Sequence, residues 1–285
     1  MKVTGIDHQG QQHPLHLDSW CFSGGEEHIR FAPAPWESLR SIEVSIRLAD
    51  SAAVMRLLLI KDALDRLAPR ASKALLVPYF PYARQDRVCV PGEAFGVELM
   101  AKLLKGAGFD SIESWDLHSA VSQQLLGNDG VSQAQLVGEF AALTDWLQTH
   151  QAMLVAPDKG ASAKIGQVAA QLHLQGIEAG VIQASKKRDP VSGQILATEV
   201  DADVAGKNLL ILDDICDGGR TFIELAKVLK EKGAGSIGLY VTHGIFSKGL
   251  APFAGLIDDI FTTDSIRNQD GLEGLVQYAR FEARS

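Results

Sequence analysis

Two adjacent acids run into a glycine-rich turn in "NLLILDDICDGGRTF", residues 208–222. A Gly-rich turn between a strand and a helix holds phosphate through backbone N–H groups and the helix N-terminus. Carboxylates beside such a turn repel a bare phosphate, but they accept hydrogen bonds well from a vicinal diol. A phosphorylated sugar meets both demands, with Asp213 and Asp214 on hydroxyls and the turn amides on phosphate. Metal ligation and a merely solvated strand end are the other readings of the acid pair, which is expected just where a buried strand gives way to a loop.

Other stretches carry chemistry of their own. In "YARQDR", residues 82–87, Arg84 can stack on a purine, Arg87 can meet a polyphosphate, and Gln85 offers a donor and acceptors. The plain alternative is a surface loop in which Asp86 pairs with an arginine. His118 and Asp158 each follow a short apolar run, a position where a histidine is commonly a hydrogen-bonded structural residue. In "QASKKRDPVSGQILATE", residues 183–199, three cations precede an Asp-Pro and a Ser-Gly, which predicts a hairpin-like loop with a β-prone base. A solvated charged loop is the bland reading there. The histidines at 8, 13, 16 and 28 have no ligand-like context and read as surface residues.

These residues need a scaffold. Strands are expected at 74–77, 112–115, 153–156, 209–212, 237–241 and 257–262, and helices at 94–106, 161–175 and 222–232, the helices ending near glycine. Such alternation predicts parallel sheets flanked by helices, with ligands at the carboxyl ends of the strands. The halves also resemble each other: "AKLLKGAGFDSIESWDLH" (101–118) and "AKVLKEKGAGSIGLYVTH" (226–243) share eight of eighteen residues at an offset of 125. Duplication of one α/β unit follows, with a boundary near residues 131–135.

Composition bounds the function. The chain has 285 residues, 46% apolar and 22% charged, room for two domains with their own cores. A net charge of −8 argues against general affinity for nucleic acid or anionic membrane. No apolar run reaches membrane-spanning length, since "VMRLLLI" is interrupted by Arg56, and the N-terminus lacks a signal peptide's apolar core. Cys21, Cys89 and Cys216 are too widely spaced for a zinc or redox pair, so a reduced cytoplasm is expected.

"LLILDDICDGGRTF" resembles the signature of proteins that bind phosphoribosyl pyrophosphate, with Arg220 a departure from the usual Gly-Thr. Together with "VPYFPYARQDRV" (77–88), "DLHS" (116–119), "APDKGA" (156–161) and "THGIFS" (242–247), it resembles, in order and spacing, the ribose-phosphate diphosphokinase (PRPP synthetase) family. "FSGGEEHIR" (22–30) resembles that family's early F-x-D-G-E segment, with Gly24 in place of the acid, and "TTDSI" (262–266) its last strand. The resemblance covers nearly the whole chain, although fewer residues precede Phe22 than is usual and Val88 stands where a basic residue is common.

The resemblance implies an α/β fold of two similar domains of phosphoribosyltransferase type, each a mainly parallel sheet with flanking helices. Residues 1–133 would form the nucleotide side and 134–285 the ribose 5-phosphate side, with a final helix packing back on the first domain and ATP lying across the cleft between them. It implies ATP binding by Arg84, Gln85, Arg87 and His118, and by Phe22 and Glu26 of a neighbouring subunit, hence a homo-oligomer of at least two chains. Asp213, Asp214, Asp217, Gly218, Gly219, Arg220 and Thr221 would hold ribose 5-phosphate, and His118 and Asp158 would associate with Mg2+. Lys186 and Arg188, which match the family's mobile K-R-R loop at its first and third positions, would act with His118 in catalysis, stabilising charge on the transferred group. The implied reaction moves the β,γ-diphosphoryl group of MgATP to the C1 hydroxyl of ribose 5-phosphate. A phosphoribosyltransferase and a catalytically silent regulatory relative are the alternatives, and no nucleic acid or membrane partner is expected.

Overall fold

The computed structural model describes residues 1–188, 195–266 and 277–281, with residues 186–188, 195–197 and 277–281 as backbone. The chain divides into two compact units, Met1–Val131 and Ser132–Ser285.

The first unit contains β1 (Lys2–Asp7), β2 (Gln12–Pro14), β3 (Leu17–Cys21), β4 (Glu27–Phe31), β5 (Leu39–Ser45), α1 (Ser51–Leu67), β6 (Ser72–Leu76), α2 (Gly96–Gly106), β7 (Ser111–Glu113) and α3 (Ala120–Leu126). Its five-stranded sheet runs β2-β1-β5-β6-β7. β5, β6 and β7 are parallel, whereas β1 lies antiparallel to both β2 and β5. β3 and β4 form a separate antiparallel hairpin. α1 buries Ala53, Leu57, Ile60 and Leu64, a stripe of helical period, and its first turn is capped by Asp50, whose carboxylate accepts the Ala53 N–H at 2.7 Å.

The second unit contains α4 (Gln133–Glu139), α5 (Ala141–His150), β8 (Met153–Ala156), α6 (Ser162–Leu174), β9 (Val181–Arg188), β10 (Ile195–Val200), β11 (Leu209–Cys216), α7 (Arg220–Glu231), β12 (Ile237–Gly244), β13 (Asp259–Thr263) and β14 (Gln277–Phe281). Its sheet order is β10-β9-β8-β11-β12-β13-β14, parallel throughout except for the β9–β10 pair. β11 is central, and its residues divide between two cores by the two-residue strand period. Leu209 and Ile211 pack with α7 on one face, while Leu210 and Leu212 pack with α4, α5 and α6 on the other.

At four places the structure departs from or adds to the sequence reading. The last described element is β14, a strand parallel to β13 that widens the second sheet, and the expected final helix is not among the described residues. α4 begins with a capping box: Ser132 Oγ accepts the Gln135 N–H at 3.2 Å, and Gln135 Oε1 accepts the Ser132 N–H at 3.0 Å. The strands β1 to β5 precede the first α-helix, so the alternation of strand and α-helix that marks the rest of the chain is missing there. His13 is half-buried and bonds Asp7 at 2.9 Å, more than a bare surface residue.

Candidate active site

Asp213 and Asp214 lie inside β11, not beyond its end as expected. Pairing with β12 continues from Leu209↔Ile237 to Cys216↔Gly244, whereas pairing with β8 stops at Ile211↔Val155. One edge of the acid-bearing end of β11 is therefore free of β8. On it the Asp213 carbonyl accepts Gln133 Nε2 at 2.9 Å, and Asp213 Oδ1 accepts the Asp214 N–H at 2.9 Å. Asp213 is half-buried and Asp214 buried. Burial, then the charge of Asp214 and more weakly that of Asp158, push the Asp213 carboxyl up to about 8.

Asp158 follows β8, and its Oδ1 accepts the N–H groups of Gly160 at 3.0 Å and Ala161 at 3.2 Å, fixing the turn into α6. Two neighbouring carboxylates thus raise the electrostatic cost of ionising Asp213, a site whose charge a cation would relieve. Among the described residues no group of three or more His, Cys, Asp or Glu side chains gathers as a metal-ligating cluster.

After Cys216 the chain turns in three residues, Asp217 to Gly219, into α7. Gly219 is left-handed at φ 77°, and a Cβ there would overlap the Phe253 ring, so this turn demands glycine. As the N-cap residue it offers no side chain to the first amides of α7. Phe222, Leu225, Ala226 and Leu229 bury the other face of the helix, which leaves Arg220 exposed and Thr221 half-buried beside the turn. Cys216 is buried, and burial and the charges of Asp217 and Asp213 push its thiol up to about 12, which keeps it protonated and removes it as a nucleophile.

Arg84, Gln85 and Arg87 lie in the first unit, on the loop between β6 and α2. Tyr82 is left-handed at φ 62°, and its carbonyl accepts the Gln85 N–H at 2.8 Å. Arg84 and Gln85 line a cavity of about 670 Å³ whose other walls include Tyr79, Tyr82, Asp50 and Ser51. Asp50 and Ser51 were missed in the sequence, although an Asp-Ser ahead of an apolar periodic run marks a helix start. Arg87 projects into solvent and meets Asp86 at 3.7 Å.

His118, half-buried, follows β7 in the segment leading to α3. Phe22 and Glu26 close the β3–β4 hairpin, where the Phe22 N–H donates to the Glu26 carbonyl at 2.9 Å. Phe22 is 50% exposed, its ring lies 5.5 Å from that of His28, and it is not among the residues lining the cavity. Lys186, Lys187 and Arg188 end β9, with backbones opposite Thr198, Ala197 and Ile195 of β10. The β-prone base expected of this hairpin is present, and residues 189–194, with the Asp-Pro and Ser-Gly, lie outside the described residues.

Residues 39–108 match the family model described as the N-terminal domain of ribose phosphate pyrophosphokinase, and residues 133–255 match the phosphoribosyl transferase domain. The ribose-phosphate pyrophosphokinase of Mycoplasma pneumoniae is 34% identical over 86% of this chain and 74% of its own length. That of Agrobacterium fabrum is 32% identical over 77% of this chain and 69% of its own. The fold is similar to that of phosphoribosylpyrophosphate synthetase from Mycobacterium smegmatis, with a TM-score of 0.77, 24% identity, and coverage of 94% of this chain and 86% of that one.

Proposed function

The chain belongs to the ribose-phosphate pyrophosphokinase family, and from that premise we propose that it makes phosphoribosyl pyrophosphate and AMP from ribose 5-phosphate and ATP, with the residues described above in distinct roles. One observation carries the assignment: β11 delivers two acids on a partly open edge and runs, through a three-residue turn that only glycine can close, into the uncapped N-terminus of α7. Acids for a diol and amides for a phosphate are thereby held by one continuous segment.

Asp213 and Asp214 accept from the ribose hydroxyls, and Asp217, Gly218, Gly219, Arg220 and Thr221 surround the 5-phosphate. Arg84 and Gln85, on the walls of the first unit's cavity, hold the nucleotide, with Arg87 on its polyphosphate and His118 nearby. Phe22 and Glu26, on an exposed hairpin, serve the adenine site of a second copy, which makes the working form at least a dimer. Asp158 and His118 are the groups proposed to hold Mg2+, directly or through water, and a bound ion would neutralise charge on the phosphoryl oxygens. The C1 oxygen of the sugar attacks the β-phosphorus, the bond from that phosphorus to the oxygen bridging to the α-phosphate breaks, AMP departs with that oxygen, and the hydroxyl proton passes to solvent. Lys186 and Arg188 stabilise the charge gathered on the transferred group; such transfers need positioning and electrostatics more than covalent chemistry. All three cysteines are free thiols, in keeping with a reducing, cytoplasmic setting.

The test is ³¹P NMR of the protein with ribose 5-phosphate, ATP and Mg2+. AMP and a sugar-linked diphosphate should appear together in equal amounts. ADP would mean an ordinary kinase, and absence of turnover with both ligands bound would mean a silent regulatory relative.

A further inference from the structure

Beyond β12 the chain bends back onto the turn that precedes α7. The N–H groups of Ile245 and Phe246 donate to the Cys216 carbonyl at 2.9 and 3.1 Å, and that of Ser247 donates to the Asp217 carbonyl at 3.2 Å. Phe246 is left-handed at φ 44°, a costly conformation for a bulky residue, and its ring meets that of Phe253 edge-on at 6.2 Å. Phe253 in turn covers Gly219. The segment is therefore tied to the turn at both ends of Asp217 to Gly219, and it sets Lys248 against Gly218. A Cβ built on Gly218 would lie 3.5 Å from Lys248 Cε and 3.7 Å from Cδ.

Lys248 and Arg220 are both exposed, and neither makes a hydrogen bond or ion pair among the described residues. Two cations beside the first turn of a helix oppose the partial positive charge at its N-terminus. In a chain of net charge −8 there is no shortage of carboxylates elsewhere to pair them. We propose that Lys248 is a binding residue for the phosphate monoester of the sugar, reaching across Gly218 to the side of the phosphate opposite the α7 amides, with Arg220 as the second cation of the clamp. This deepens the reading of the β11–α7 segment as the ribose 5-phosphate site and rests on it.

Kinetics and calorimetry of K248M test it, because methionine keeps most of the stem and loses the charge. The Michaelis constant for ribose 5-phosphate should rise roughly tenfold, the loss of one charge-assisted contact, while that for ATP and the denaturant midpoint stay as in the wild type. Lys248→Arg should restore most of the loss. Inorganic phosphate should bind the wild type more tightly than K248M, with the gap closing at high salt. An unchanged constant for ribose 5-phosphate in a K248M enzyme that still turns over would overturn the role of Lys248 alone. A wild type that binds neither ribose 5-phosphate nor phosphate would overturn the site itself, and this role with it.

Discussion

The two units use one module twice, a strand, a loop, a helix, a left-handed glycine and a second strand, and the loops are what differ. In the first unit β6 is joined to α2 by residues 77–95, and in the second β11 is joined to α7 by Asp217 to Gly219 alone. Downstream the copies stay close: Gly108 and Gly233 take φ values of 75° and 81° at equivalent places. The matched histidines have separated in role. His243 is buried in β12 and bonded to Ser265 at 2.8 Å, whereas His118 lies half-buried beyond the short β7. A long loop exposes side chains and frames a cavity, which suits a nucleotide. A three-residue turn exposes backbone amides, which suits a phosphate. On the proposed assignment, loop length, more than the shared sheet, would decide which ligand class each copy takes.

The largest expected effect falls on residues outside both loops. Lys186→Ala or Arg188→Ala should lower kcat by about 10²–10³-fold with little change in the Michaelis constant for ATP, since their charge is needed mainly in the transition state. An unchanged kcat in steady-state assays would leave the comparison to the two loops alone. Next comes Asp213→Asn, expected to lower kcat/KM about a hundredfold while raising the stability of the ligand-free protein. The sign follows from linkage. A carboxyl raised from 3.8 to about 8 on folding binds more protons in the native state across that window, so wild-type stability falls as pH rises through it. The gap between Asp213→Asn and wild type in thermal melts should therefore widen from pH 5 to pH 8. A constant gap would mean that burial and the charges of Asp214 and Asp158 do not hold the Asp213 carboxyl up as described.

Glycines sharpen the contrast between loops. Gly219→Ala combines a left-handed backbone with overlap on Phe253 and should cost about 2–5 kcal/mol in denaturant unfolding. Gly92, at φ 96° in the long loop, has nothing within 4 Å of a built Cβ, and Gly92→Ala should cost about 1 kcal/mol. Equal losses would show that backbone strain, and not the packing of the short turn, restricts position 219.

Much of this was legible from sequence because it is local. β8 and β11 are continuous apolar runs buried on both faces, and the acid pair and its turn follow along the same segment, so periodicity and spacing reach them. Even so, the strand was drawn too short. It continues through Asp213 and Asp214 because β12 still pairs with it after β8 has left, a fact of neighbouring strands that a run of aliphatic residues does not record. Tertiary arrangements were invisible for the same reason. Asp50 and Ser51 meet Arg84 only once α1 and the long loop share a cavity, and Lys248 meets Gly218 only through hydrogen bonds between segments far apart in sequence. The first unit's early strands are short and antiparallel, and α1, carrying "VMRLLLI", invited a membrane question before a helical one.

The smallest effect separates the loops by their thiols. Cys89 sits exposed in the long loop and Cys216 is buried at the mouth of the short turn; Cys21, at the end of β3, is exposed. Thiolate, not thiol, attacks a disulfide reagent, and a thiol pushed up to about 12 is almost wholly protonated near pH 8. Native protein treated with an aromatic disulfide at that pH should release chromophore rapidly from Cys21 and Cys89, and from Cys216 only after denaturant is added. Because Cys89 lies in the loop proposed to hold the nucleotide and Cys216 beside the turn proposed to hold the phosphate, ATP should slow the first class and ribose 5-phosphate should leave it unchanged. Fast labelling of Cys216 in the native state would mean that the short turn opens, and with it the distinction drawn between a loop that presents side chains and a turn that presents only backbone.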